Sequence, residues 1–146
     1  MKPGITIRKI DCDEDVLKLE VTSCDGESFF RAETYAGDSE LKELIKGLTV
    51  FRNHLYGGLY NIRLGEFGSE YAGGGFEARL HFQIPGTLFI TVRAESEWRP
   101  FKKAEVASHA TLYMKTEPVL LENFIEDLGK LDRGETNEAS LSCTIA

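Results

Sequence analysis

A chain of 146 residues with 17 Lys and Arg against 24 Asp and Glu, net charge -7, is the size of one domain. Its 42% hydrophobic and 28% charged content suits a globular protein with a single core. The acidic balance argues against non-specific binding to nucleic acid, which needs a basic surface to displace counterions. No apolar run approaches the roughly 20 residues of a membrane-spanning helix.

The opening Met1-Lys2-Pro3-Gly4-Ile5 has no apolar leader, and Cys12, Cys24 and Cys143 are odd in number and scattered. Reduced thiols and a cytoplasmic location are therefore expected. Ile5 and Ile7 mark a first short strand that ends at the acidic turn Asp11 to Asp15. That turn lacks the glycine and the final glutamate of a calcium loop. Leu17, Leu19 and Val21 alternate with Lys18, Glu20 and Thr22 as a second strand. Asp25-Gly26 is a tight-turn pair, and a third strand runs from about Glu27 to Tyr35.

A helix follows, with Asp38 or Ser39 as its cap. Leu41, Leu44, Ile45, Leu48 and Phe51, continuing to Leu55, form its apolar stripe, and Gly57-Gly58 ends it. Gly47 weakens the helix interior and permits close approach to a sheet. Tyr60 to Phe67 is a further strand, with Asn61 and Arg63 on one side. The glycine-rich stretch Gly68 to Gly75 leads into a strand and has no lysine after it, so it reads as a hairpin loop and not a phosphate cradle.

From Gly75 to Lys115 the chain reads as an antiparallel meander. Phe76, Ala78, Leu80, Phe82 and Ile84 alternate with Glu77, Arg79, His81 and Gln83. Leu88, Ile90, Val92 and Ala94 alternate with Phe89, Thr91, Arg93 and Glu95, and Leu112 and Met114 with Thr111 and Tyr113. A three-residue turn, Pro85-Gly86-Thr87, sets Ile84 opposite Leu88 and Leu80 opposite Val92. That register puts Arg79 opposite Arg93 and Glu77 opposite Glu95, like charges relieved only along the diagonals. Trp98 lies in a cationic loop, Glu97 to Lys103, where it either covers the core edge or anchors a partner. Pro118 opens a second helix with the stripe Leu120, Leu121, Phe124, Leu128 and Leu131. The stretch 132–146 is a loose tail or an edge strand. No internal repeat or second domain is visible, so 1–146 reads as one α+β domain: a largely antiparallel meander sheet with two amphipathic helices packed on one face.

Chemistry is sparse. His54, His81 and His109 lack zinc-ligand spacing, and two strand spacings put His81 and His109 about 10 Å apart. No serine sits in a nucleophile elbow, and neither Cys12 nor Cys24 has an activating context. No cofactor, metal or catalytic set is indicated. The wet face of the meander is either a charge ladder that keeps the sheet soluble or a partner-binding face. Its candidate contacts are Glu77, Arg79, His81, Arg93, Glu95, His109 and Tyr113, with Trp98 beside them.

The order of strands and helices resembles the WapI-type bacterial immunity protein family and related small α+β domains. The resemblance runs from about Ile5 to Leu131. It is carried by Phe29 to Tyr35 leading into the Leu41-Leu44-Leu48-Phe51 helix, Gly57-Gly58, the Glu77-Ala78-Arg79-Leu80 strand, the Gly86 turn and the Leu121-Phe124-Leu128 helix. It implies a non-enzymatic intracellular protein that blocks a cognate toxin by occupying its surface. The net charge would suit a basic toxin domain. Two other classes fit the residues: a ligand-binding or enzymatic domain with a pocket between sheet and helices holding His54 or His81, and a protein that self-associates through an edge strand.

Overall fold

The computed structural model describes residues 2–71 and 73–146; Met1, and Ala72 within the glycine-rich connection, lie outside the described residues. The fold is α+β. Its strands are β1 (Gly4–Asp13), β2 (Val16–Cys24), β3 (Phe29–Gly37), β4 (Leu59–Gly65), β5 (Gly75–Ile84), β6 (Thr87–Glu95), β7 (Arg99–Phe101), β8 (Ala104–Val106), β9 (His109–Thr116), β10 (Glu138–Ser142) and β11 (Thr144–Ile145). The helices are α1 (Asp38–Phe51) and α2 (Pro118–Asp132). The antiparallel strands form two main sheets, ordered β10-β1-β2-β3 and β11-β9-β6-β5-β4, and a small ribbon β7-β8.

The two sheets are the same unit built twice. Three antiparallel strands, a helix and a fourth strand occur as β1-β2-β3-α1-β4 and again as β5-β6-β9-α2-β10. In each unit the fourth strand leaves its own sheet and completes the other: β4 pairs with β5, and β10 pairs with β1. The registers correspond. Gly4 stands opposite Cys24 and Ser142, as Gly75 stands opposite Glu95 and Gly65. Core positions follow: Leu17, Leu19 and Val21 match Leu88, Ile90 and Val92, while Leu41, Leu44, Leu48 and Phe51 match Leu121, Phe124, Leu128 and Leu131. All of these are buried in one common cluster. The absence of a visible repeat is thus corrected. What repeats is burial and register, with few identical residues.

Both helical stripes enter that core and the helices touch each other. α1 begins one residue earlier than its expected caps, with extended Gly37 at the N-cap position and no side-chain cap, so Asp38 and Ser39 belong to the first turn. It ends at Phe51, and residues 52–55 lie beyond the helix. The 132–146 stretch begins with the last residue of α2 and then supplies two edge strands: Ala139 and Leu141 of β10 are buried beside β1, and β11 crosses to pair with β9. No described helix is long and apolar enough to cross a membrane.

The first meander hairpin departs from the expected register. Pro85-Gly86 is a two-residue turn with Ile84 opposite Thr87, and a register shift between His81 and Ile84 then sets Leu80 opposite Ile90 and Ala78 opposite Val92. The slip amounts to two residues, so the buried and wet faces are kept. Its effect is electrostatic: Glu77 faces Arg93 and Arg79 faces Thr91, so the expected like-charge oppositions do not occur.

Candidate interaction face

Strand alternation gives the second sheet an outer face of four rows, read across β4, β5, β6 and β9. They are Gly65-Gly75-Glu95-His109, Arg63-Glu77-Arg93-Thr111, Asn61-Arg79-Thr91-Tyr113 and Leu59-His81-Phe89-Lys115. Seven residues expected on the wet face, Glu77, Arg79, His81, Arg93, Glu95, His109 and Tyr113, stand on it together. Trp98 sits at its upper end, against the first row. Four cations, Arg63, Arg79, Arg93 and Lys115, meet one open carboxylate. Glu77 is shared between Arg63 Nε at 3.4 Å and Arg93 Nη1 at 3.6 Å. Arg93 also lies over the Phe67 ring. The face is therefore cationic on a chain of net charge -7, and the expectation of a basic partner does not carry over to it.

Glu95 does not belong to a solvated ladder. Only 4% of it is exposed, because the β7-β8 segment and the loop after β4 close over it. The Gly68 amide donates to Oε2 at 2.7 Å, the Trp98 indole N–H donates to the same oxygen at 3.1 Å, and His109 Nε2 lies 2.7 Å from Oε1. Burial pushes the carboxyl upward, but the Gly68 amide, His109 and Trp98 outweigh it and hold the group below the ordinary carboxylate range. Trp98 thus ties a two-stranded ribbon to the sheet, where the sequence reading had a loop. Chain reversal at the matching end of the first sheet, from Cys24 to Phe29, has no such ribbon. The ribbon presents Arg99, Phe101, Lys102 and Lys103, all exposed.

His81 and His109 occupy opposite ends of the face, on the fourth and first rows, which strand rise separates by roughly 20 Å. The expected 10 Å separation ignored displacement along the strands. Among the described residues no group of three or more His, Cys, Asp or Glu could hold a metal ion. Sequence reasoning did not include Arg63, Lys115 or Gly68 in the site. Arg63 and Lys115 carried the right alternation, but their rows depend on long-range pairing.

A concavity of 840 Å³ lies between α1 and β4, lined among others by Glu43, Gly47, Val50, His54, Tyr60 and Arg63. Tyr60 runs beneath Gly47, and burial followed by the Glu43 charge raises its hydroxyl pKa. Compared with protein-family models, curated proteins and solved structures, the chain matches none.

Proposed function

We propose that this chain is a non-enzymatic, cytoplasmic immunity-type protein that binds a cognate bacterial toxin through the outer face of β4, β5, β6 and β9. The observation that carries the reading is the face itself: three rows of the second sheet, led by Arg63, Asn61 and Leu59, lie open to solvent with arginines and aromatic rings that neither helix covers, while the ribbon closes over the first row. Arg and Tyr are enriched among the residues that dominate binding energy at protein interfaces, and a sheet offers them without the entropy of a loop. The ribbon with Trp98 and Phe101 extends the same surface. The resemblance to WapI-type immunity proteins supplies the toxin as the partner class.

The test is protection. The product of the gene immediately upstream is expressed with and without this chain, and growth and complex formation are measured. Arg63→Glu with Arg93→Glu is expected to abolish both protection and complex while leaving the melting temperature nearly unchanged. An intact complex in that double variant, or a gene isolated within a metabolic operon, contradicts the reading.

The α1-β4 groove supports a second reading, a small-ligand domain, because His54 and Tyr60 border a concavity of ligand size. Saturable binding of a small molecule lost in Val50→Trp would favour it.

A further inference from the structure

The internal repeat provides a control that the molecule carries within itself. In the first sheet, Arg8 stands directly opposite Glu20, and Glu20 stands opposite Glu33. Glu20 takes Arg8 at 3.1 Å and Arg31 at 3.2 Å, and Glu33 lies 3.8 Å from Lys18. The cations Arg8, Lys18 and Arg31 on that outer face thus each have a carboxylate from their own sheet. In the second sheet the matching register sets Arg79 opposite Thr91, and Thr91 opposite Tyr113. The arginine is kept and both acids are replaced, one by a hydroxyl and one by an aromatic ring. Arg63 and Arg93 are added in the adjacent row, where the first sheet has Ser140 and Thr22.

We infer that this face takes an acidic protein surface, with a partner carboxylate entering beside Thr91 to fill the place that Glu20 fills in the sister sheet. The inference rests on the binding reading above and specifies the partner's chemistry. Arg79 and Arg93 are diagonal neighbours, about 7 Å apart at their side-chain bases, a span that one carboxylate can bridge with both guanidinium groups. Glu77, held between Arg63 and Arg93, fixes the Arg93 head beforehand and lowers the entropy lost on binding. Tyr113 and Phe89 flank the entry with apolar area and leave it free of competing negative charge. Protein is favoured over nucleic acid because the chain as a whole is acidic, so a long polyphosphate backbone would be repelled beyond this patch.

The experiment uses the full chain, isotope-labelled, with three probes of matched length: poly-glutamate, poly-lysine and a single-stranded oligonucleotide. Poly-glutamate is expected to shift amide signals across the Arg79 and Arg93 rows, with affinity falling as salt rises. Thr91→Glu supplies the missing acid internally and is expected to weaken that binding about tenfold or more, with unchanged melting behaviour. Thr22→Glu, on the sister face, is expected to have little effect. Undiminished binding in Thr91→Glu, or shifts confined to other surfaces, overturns the inference. Tighter binding of the oligonucleotide to the same rows also overturns it. If a protein partner cross-links to this face while Thr91→Glu leaves its affinity intact, the acidic-partner inference falls and the binding reading stands. If cross-links and poly-glutamate shifts both miss the face, both fall.

Discussion

His109 Nε2 lies 2.7 Å from Glu95 Oε1, although the carboxylate is almost sealed and the imidazole side chain is 59% exposed. The pair joins β6 to β9 directly across the sheet, and with the Trp98 indole it fixes the β7-β8 ribbon that distinguishes this end of the second sheet from the first. Glu95 is held below the ordinary carboxylate range, so its stabilising contribution is fully present above about pH 4.5 and is lost as pH falls through its lower folded value. Glu95→Gln is expected to cost about 1–3 kcal/mol at pH 7, with a smaller difference near pH 3. Thermal melts across that range check it. A difference that does not change with pH contradicts the assignment.

The strand exchange between repeats makes a second prediction. Removing residues 133–146 takes away β10 and β11, uncovering β1 at Ile5 and Ile7 and discarding buried Ala139, Leu141 and Cys143. The truncated chain is expected to lose cooperative unfolding, as judged by calorimetry and amide dispersion. A folded truncated chain would show that the fourth strand of the repeat is dispensable.

Much of this architecture was legible because burial follows alternation. The apolar sets Leu88-Ile90-Val92 and Leu41-Leu44-Leu48 identify faces without reference to anything distant, and the wet-face residues Arg79, Arg93 and Tyr113 follow by parity. What was not legible depends on pairing between distant segments. The hairpin reading of Gly68 to Gly75 already joins β4 to β5, but nothing there says that β4 thereby leaves the sheet of β1, β2 and β3, and nothing near Glu95 says that Gly68 will cap it. The hairpin register failed for a local reason. A two-residue Pro85-Gly86 turn with a register shift preserves the same faces as a three-residue turn, so the hydrophobic pattern could not choose between them. The repeat escaped notice because it conserves register and volume while exchanging, for example, Thr34 for Met114 at matching buried positions.

Gly47 and Tyr60 make the third prediction. A β-carbon at residue 47 would overlap the Tyr60 hydroxyl and ring, so glycine is what lets the tyrosine ring lie under α1. Alanine raises helix propensity by about 1 kcal/mol, yet Gly47→Ala is expected to destabilise the wild-type chain. In a Tyr60→Ala background the same substitution is expected to stabilise. Chemical denaturation of the four members of this cycle measures the coupling.

The thiols give the fourth. Cys12 is exposed, whereas Cys24 and Cys143 are buried, and burial pushes the Cys143 thiol up to about 12 against a smaller opposing influence of the neighbouring Thr116. An aromatic disulfide reagent at pH 8 is expected to titrate one thiol rapidly in the folded chain and the other two only after unfolding. Rapid reaction at Cys143 would contradict the packing of the last strand.

The central claim is that the outer face of the second sheet meets another protein. Site-specific photo-cross-linking in the native cells tests this most directly, with the photoreactive residue placed at Thr111 on that face, at Thr22 on the sister face, or at Val50 beside the groove. A discrete adduct from Thr111 alone, abolished by Arg93→Glu, is the predicted result. Adducts from Thr22 or Val50 with none from Thr111 would contradict it.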